Sequence, residues 1–387
     1  MSYKYIPPCM HIFRNRLSHC CSSLPSRSQD LIMKTTLVLL LFVVSAHQIH
    51  NTTGCDVSNG SWVYDDSYPL YNASSCPFIL KAFDCVGNGR PDKDYLKYRW
   101  IPSECNLPTF NGTDLLMRFK GKSIMFVGDS LSSNQWQSLA CMVYTSTSPL
   151  PKYTLFRQGE LSTFVFPEYN FRLLFSRNPL IVDIVNTKAG RVLKLDSISL
   201  ESQQLWKGTD VVIFDTWHWW LHVGRKQPWD VIQVGNQTYE DMDRLVGYEK
   251  ALNTWATWVD SNVNPAKTKV FFQGVSPDHQ NASDWTLNPN SEAMNCTAES
   301  EPLLQAGSEY PRAHPAEQVA EKVLGSMSKP ARLLNVTRLS ELRKDGHPSV
   351  YGLGGRRGLD CTHWCLSGVP DTWNVLLYAA LTESYTD

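Results

Sequence analysis

The chain has 387 residues, 42% of them hydrophobic and 11% aromatic, enough to bury one large domain or one domain with an extension. A formal net charge of -1 gives no basic excess on which to argue nucleic-acid binding. The 13 Trp and 16 Tyr suit either a packed core or the stacking faces of sugars, and for most of them packing is the simpler reading.

Residues 1–32 are polar, carry Cys9, Cys20 and Cys21 without a hydrophobic period, and read as an unstructured leader ahead of a more ordinary start at Met33. Residues 33–46 read as a signal peptide or signal anchor: Met33-Lys34, the apolar run Leu37 to Val44, then the small-residue pattern Val44-Ser45-Ala46. The run falls short of the roughly 20 apolar residues a bilayer core needs, which favours cleavage; a retained anchor is the one membrane contact expected. Downstream lie glycosylation sequons at Asn51, Asn59, Asn72, Asn111, Asn236, Asn281, Asn295 and Asn335. The cysteines after the run, Cys55, Cys76, Cys85, Cys105, Cys141, Cys296, Cys361 and Cys365, form an even set suited to an oxidising compartment. Cys361-Thr362-His363-Trp364-Cys365 lacks the paired spacing of a zinc site, so no metal is expected.

Residues 54–108 are rich in Cys, Trp, Tyr and Pro without a long period, as in an extension stapled to a main domain at 109–387. The organising stretch is Ile124 to Val127 running into Gly128-Asp129-Ser130 and then a helix over Leu131 to Val143. Such a strand–turn–helix lifts Ser130 to the amino end of a helix, where backbone N–H groups can receive an oxyanion. Strands are predicted at Leu161 to Phe166, Phe171 to Phe175, Asp210 to Asp215, Lys269 to Phe272 and around Leu333. Helices are predicted over 239–260, Ala316 to Met327 and Thr372 to Thr382, completing an alternating α/β order.

Near the carboxyl end, Asp360 lies three residues before His363 between Cys361 and Cys365. On a turn or short helix that spacing sets a carboxylate beside an imidazole, orienting it and stabilising its charged form, as a nucleophilic serine requires. The competing reading is an ordinary surface pair.

Taken together, Tyr98-Arg99-Trp100, Phe126-Val127-Gly128-Asp129-Ser130-Leu131, His218-Trp219-Trp220, Arg343-Lys344-Asp345-Gly346-His347-Pro348 and Asp360-Cys361-Thr362-His363-Trp364-Cys365 resemble the plant trichome-birefringence-like polysaccharide O-acetyltransferases, within the wider GDSL/SGNH group. The resemblance implies a three-layer α/β domain with a central, mainly parallel sheet. It also implies a Ser130 nucleophile, a His363 general base and an Asp360 orienter. Gly128, Asp129, Asp215, His218, Trp219 and Trp220 are the oxyanion or substrate positions it suggests. It further suggests the disulfides Cys55–Cys105, Cys76–Cys141, Cys85–Cys365 and Cys296–Cys361. No bound cofactor is implied, but an acetyl donor is, acetyl-CoA among the candidates, although no phosphate-cradling glycine loop marks one. The implied partners are that donor and a cell-wall polysaccharide acceptor, xylan or pectin, in the Golgi lumen or, for a released protein, in the wall.

Two departures stand out. Where the family usually has Asn, this chain has Asp215, and an ionised carboxylate cannot donate to an oxyanion. The Tyr-Pro-Gly-Gly loop becomes Tyr310-Pro311-Arg312-Ala313. Hydrolysis of the same acyl-enzyme, making an acetylesterase, and non-catalytic glycan binding by the Trp-rich loops are the alternative functions.

Overall fold

The computed structural model describes residues 56–188, 190–281, 295–297, 299–304, 314–352 and 358–382. The segment read as a signal peptide or anchor, Cys55 and the Tyr310-Pro311-Arg312-Ala313 loop lie outside the described residues. In chain order the elements begin with β1 (Gly60–Tyr64), β2 (Tyr98–Pro102), α1 (Gly112–Arg118), β3 (Ser123–Gly128) and α2 (Ser130–Ser146). There follow β4 (Thr154–Gln158), β5 (Leu161–Phe166), β6 (Phe171–Arg177), β7 (Asp183–Thr187), β8 (Gly190–Lys194), α3 (Leu200–Lys207) and β9 (Val211–Phe214). The carboxyl part holds β10 (Val231–Val234), β11 (Gln237–Tyr239), α4 (Arg244–Asn262), β12 (Lys269–Gln273), α5 (Pro315–Ser326), β13 (Ala331–Leu334), α6 (Thr337–Glu341) and α7 (Val369–Thr382).

Strand β3 is the centre, buried at every position. Its alternation sets the layers: Ile124 and Phe126 enter one core, Met125 and Val127 the other. The first core is closed by α1, α2, α6 and α7, the second by α3, α4 and α5. An all-apolar strand covered on both faces is what a parallel sheet demands. The sheet runs β13-β12-β9-β3-β6-β5-β4, parallel from β13 to β6 and antiparallel over β5 and β4. This is the expected three-layer α/β architecture with a mainly parallel sheet. The chain leaves β3 first toward β6 and later returns to the other side at β9, so the carboxyl ends of β3 and β9 form a switch point where α/β sheets hold ligands.

The extension departs from the sequence reading. It contains a two-stranded antiparallel sheet in which Trp62 faces Trp100 edge-on at 5.5 Å, and Trp62 Nε1 donates to Leu339 O at 2.7 Å. The strands are only five residues each and lie far apart in sequence, which hides them from a periodicity test. A second sheet, β11-β10-β8-β7, was likewise not expected; its edge strand β7 is exposed at most positions, so it carries little apolar signal. Helix α4 starts at Arg244 because Asp243 accepts from the N–H groups of Leu245 and Val246, while Gln237–Tyr239 pairs with β10. Disulfides join Cys76 to Cys141, Cys85 to Cys365 and Cys296 to Cys361. Cys105 is also disulfide-bonded, and Cys55, the partner the resemblance suggests, is outside the described residues. Among the described residues no helix is long and apolar enough to cross a membrane.

Candidate active site

The turn after β3 is shaped by close approach. A Cβ on Gly128 would lie 2.3 Å from Asp215 O and 2.4 Å from Ser132 Oγ, so glycine alone fits there. Asp129 then caps α2 in extended backbone, its Oδ1 accepting from Leu131 N at 2.8 Å. Ser130 is the first residue of α2, half-buried, and its N–H belongs to the first helical turn, whose donors lack intrahelical acceptors. The helix dipole favours negative charge at that end.

His363 arrives from the loop before α7. Its Nε2 lies 2.7 Å from Ser130 Oγ, and its Nδ1 lies 2.9 Å from Asp360 Oδ2 and 3.1 Å from Oδ1. Asp360 Oδ1 also accepts from the backbone N–H groups of His363, at 3.0 Å, and Thr362, at 3.1 Å. The carboxylate therefore holds both the ring and the turn that carries it.

The loop is pinned from several directions. Asp360 makes a two-way backbone bridge with Ser349. Asn134, one turn along α2 from Ser130, accepts from Trp364 N at 2.8 Å and donates to Trp364 O at 3.2 Å. Trp364 Nε1 donates to Ser276 Oγ at 2.8 Å, and its ring stacks on His347 at 4.1 Å. His347 Nδ1–H donates to the His363 carbonyl at 2.7 Å, and His347 Nε2 meets His279 Nδ1 at 2.6 Å. Burial holds the His347 imidazole well below its ordinary value and His279 at about 4.

Electrostatics fit proton transfer. Burial alone would lower His363, but the hydrogen bond and charge of Asp360, aided by Asp129, raise it above its ordinary value of 6.5. Asp360 is held down at about 2: burial works to raise it and is outweighed by its bonds to His363 and Thr362. Removing solvent from this pair would cost heavily without those bonds, so the charge is well matched to its place.

The remaining expected positions divide. Trp219 is half-buried at the rim beside Arg177, whose guanidinium lies 5.1 Å from its ring, and Arg177 pairs in register with Gly128 at the carboxyl edge of the sheet. Trp220, expected at the substrate surface, is instead core: it is 1% exposed, bonds Thr216 Oγ1 through Nε1 and packs on Trp229 and Tyr248. Trp217 is buried too, so the aromatic cluster offers one stacking face rather than three. His218 donates its Nε2–H to Ser276 O at 2.8 Å, which occupies that nitrogen. Asp129 and Asp215 are buried and are both bonded to the first turn of α2, Asp129 to Leu131 N–H and Asp215 to Ser132 Oγ. Asp215 is not an ordinary carboxylate: burial first, then the charge of Asp129, pushes its carboxyl well above the ordinary range. Cys361 and Cys365 are bound to different sulfur partners, which removes both from any thiolate metal site.

The comparisons with known proteins agree with this geometry. Residues 107–380 match the model of the GDSL/SGNH-like acyl-esterase family found in Pmr5 and Cas1p, and residues 53–106 match the PMR5 N-terminal domain. The chain is 53% identical over 368 residues to "Protein trichome birefringence-like 43" of Arabidopsis thaliana, covering 93% of this chain and 98% of the relative. The chain belongs to the trichome birefringence-like family. Other members include "Protein trichome birefringence-like 41", 53% identical over 92% of this chain and 98% of its own length, and "Protein trichome birefringence", 42% identical over 84% of this chain and 56% of its own, both of Arabidopsis thaliana. A trichome birefringence-like chain with this esterase-type domain falls in the acyl-hydrolase or acyltransferase class.

Sequence reasoning missed Asn134, Arg177 and the bracing role of His347. Asn134 left one signal, a polar residue amid the apolar positions of a buried helix; Arg177 left none, since its place depends on strand register.

Proposed function

We propose that the protein is an O-acetyltransferase that moves an acetyl group onto a hydroxyl of a plant cell-wall polysaccharide, xylan or pectin, through an acyl-enzyme. The observation that carries this is the unbroken hydrogen-bonded chain Ser130–His363–Asp360 at the carboxyl end of the central strand. Ser130 Oγ attacks the acetyl carbonyl of the donor as His363 Nε2 takes its proton, and the developing oxyanion is met by the Ser130 N–H at the start of α2. His363 returns the proton to the departing donor. In the second half, His363 takes the proton of the acceptor hydroxyl, the oxygen attacks the acyl carbon, and Ser130 is released with its proton restored. Asp360 keeps Nδ1 protonated throughout. Trp219 at the rim offers a face for an acceptor sugar. The disulfides and sequons support a lumenal or extracellular setting, the Golgi or the wall.

A second reading, hydrolysis of the same acyl-enzyme by water, is favoured by the esterase character of the matched family. The purified protein and its Ser130→Ala variant, given acetylated and unacetylated xylan and pectin with and without an acetyl donor, test both. Donor-dependent acetylation, reduced at least about 10³-fold in the variant, is expected. Acetate release without a donor would select the esterase, and equal activity in the variant would remove Ser130 from the chemistry.

A further inference from the structure

Behind the nucleophile sit two carboxyl groups that no substrate can reach. Asp129 is 0% exposed and Asp215 3%. One comes from the β3–α2 turn, the other follows β9, and their side chains are in hydrogen-bonding contact. Asp129 Oδ1 is satisfied by Leu131 N–H, but Oδ2 is buried and receives no backbone, amide or hydroxyl donor. Asp215 Oδ2 accepts from Ser132 Oγ at 3.3 Å. Among the described residues, no ion pair involves either carboxyl.

Two facing carboxylates with no cation or donor between them repel strongly in a low-dielectric interior, whereas one shared proton turns the contact into a charge-assisted hydrogen bond. The question is which residue keeps the proton. Asp129 sits at the positive end of α2 and already accepts an N–H, so negative charge is favoured there. Asp215 accepts from the Ser132 hydroxyl and from the Ser132 N–H, and burial together with the charge of Asp129 outweighs both. The orphan oxygen of Asp129 and the acid of Asp215 then satisfy each other.

We propose that Asp215 is a positioning residue that works as a carboxylic acid: its O–H donates to Asp129 and locks the cap that brackets Ser130, and loss of that proton unlocks the turn. The bracket is literal, since Asp129 bonds Leu131 N–H across the nucleophile. This rests on Ser130 being the nucleophile. The groups around the pair do not substitute for the proton. Tyr248 of α4 faces Asp215, while His363 and His222 face Asp129. His222 is held below its ordinary value by burial and then by Lys226, and His363 must be neutral to act as base. The sign of the linkage follows. Because the Asp215 carboxyl is raised above 3.8 in the folded protein, its stabilisation is complete at low pH and disappears as pH rises through the folded value.

Asp215→Asn separates this role from ordinary packing, because an amide presents the same donor with no proton to lose. Activity is measured across roughly pH 5 to 10, with acetylated xylan or the donor–acceptor pair as substrate. Asp215→Asn is expected within about threefold of the parent near neutrality, to lack the parent's alkaline fall in kcat, and to keep the same acid limb. Asp215→Ala is expected to lose about 100-fold in kcat through misplacement of Ser130. An alkaline limb the same in both proteins, or absent from both, overturns the proposal. So does an acid limb that moves down in Asp215→Asn, which would mean that an anion beside Asp129 had been removed. Thermal midpoints against pH give a readout without catalysis: the parent and Ser130→Ala should both lose stability at alkaline pH relative to their Asp215→Asn counterparts. If Ser130→Ala remains active, the acyl-enzyme reading fails while these midpoints still decide whether Asp215 holds a proton.

Discussion

The two sides of the candidate active site are held by different means. Ser130 is placed largely by its neighbours in sequence, a buried strand, Gly128, the Asp129 cap and a helix start, with the Asp215 backbone closing on Gly128. His363 is placed by residues far from it in sequence, through disulfides to Cys85 and Cys296 on either side of it, Asn134 of α2, Ser276, and His347. Local backbone chemistry supplies most of what sets the candidate nucleophile at its helix terminus. A base and its orienter must meet that nucleophile at 2.7 Å, and an irregular loop holds such a distance only with cross-links.

Breaking the base side at its centre should cost most. Asp360→Asn is expected to lower kcat by roughly 10³ to 10⁴-fold, because His363 loses its tautomer and orientation. In the same variant the acid limb should move to lower pH, since burial then acts on His363 with the anion gone; a pH–rate profile that does not move would separate Asp360 from His363. Next comes loosening the loop while keeping the triad. Cys85→Ala with Cys365→Ala is expected to lower kcat about 100-fold through loss of alignment. Cys76→Ala with Cys141→Ala, which unties α2 from the extension rather than the base loop, should lower the thermal midpoint and leave kcat within about threefold. Equal loss of kcat in the two pairs would erase the distinction between the sides. The smallest effect is expected from Asn134→Ala, which removes one donor and one acceptor from Trp364 and should cost about 2 kcal/mol of stability by denaturant unfolding.

The same asymmetry governs how much could be read from the chain. The strand, turn and helix around Ser130 were legible because their causes are local, and the alternation of later strands and helices was enough for the layered sheet. Asp360 and His363 were legible as a pair through their spacing, but their meeting with Ser130 was implied by the resemblance and not by any period. The second sheet stayed hidden because β7 and β11 are short and exposed, so pairing and not burial makes them strands. The face of α2 was misjudged for the opposite reason. The expected apolar stripe of Trp136, Leu139, Ala140 and Val143 is present, yet Asn134, Gln135, Gln137 and Ser138 are buried as well. Asn134 is spent on Trp364, Ser138 on Asp371 and Gln137 on Leu80 N–H, and a polar residue with a buried partner looks from the sequence like a solvated one. Asp215 misled in the same way: its letter suggests an ordinary surface carboxylate, while burial and the charge of Asp129 raise it well above the usual range.

The bridge from Cys85 to Cys365 closes a loop of 280 residues. In such a chain, alignment of the base depends on covalent maturation. Until that sulfur pair forms, the nucleophile already stands at its helix while the proton acceptor it depends on is tethered by a single bridge, so a newly made chain would carry a complete serine and an incomplete enzyme. Oxidation state, rather than substrate or effector, would then be the first switch the molecule passes through.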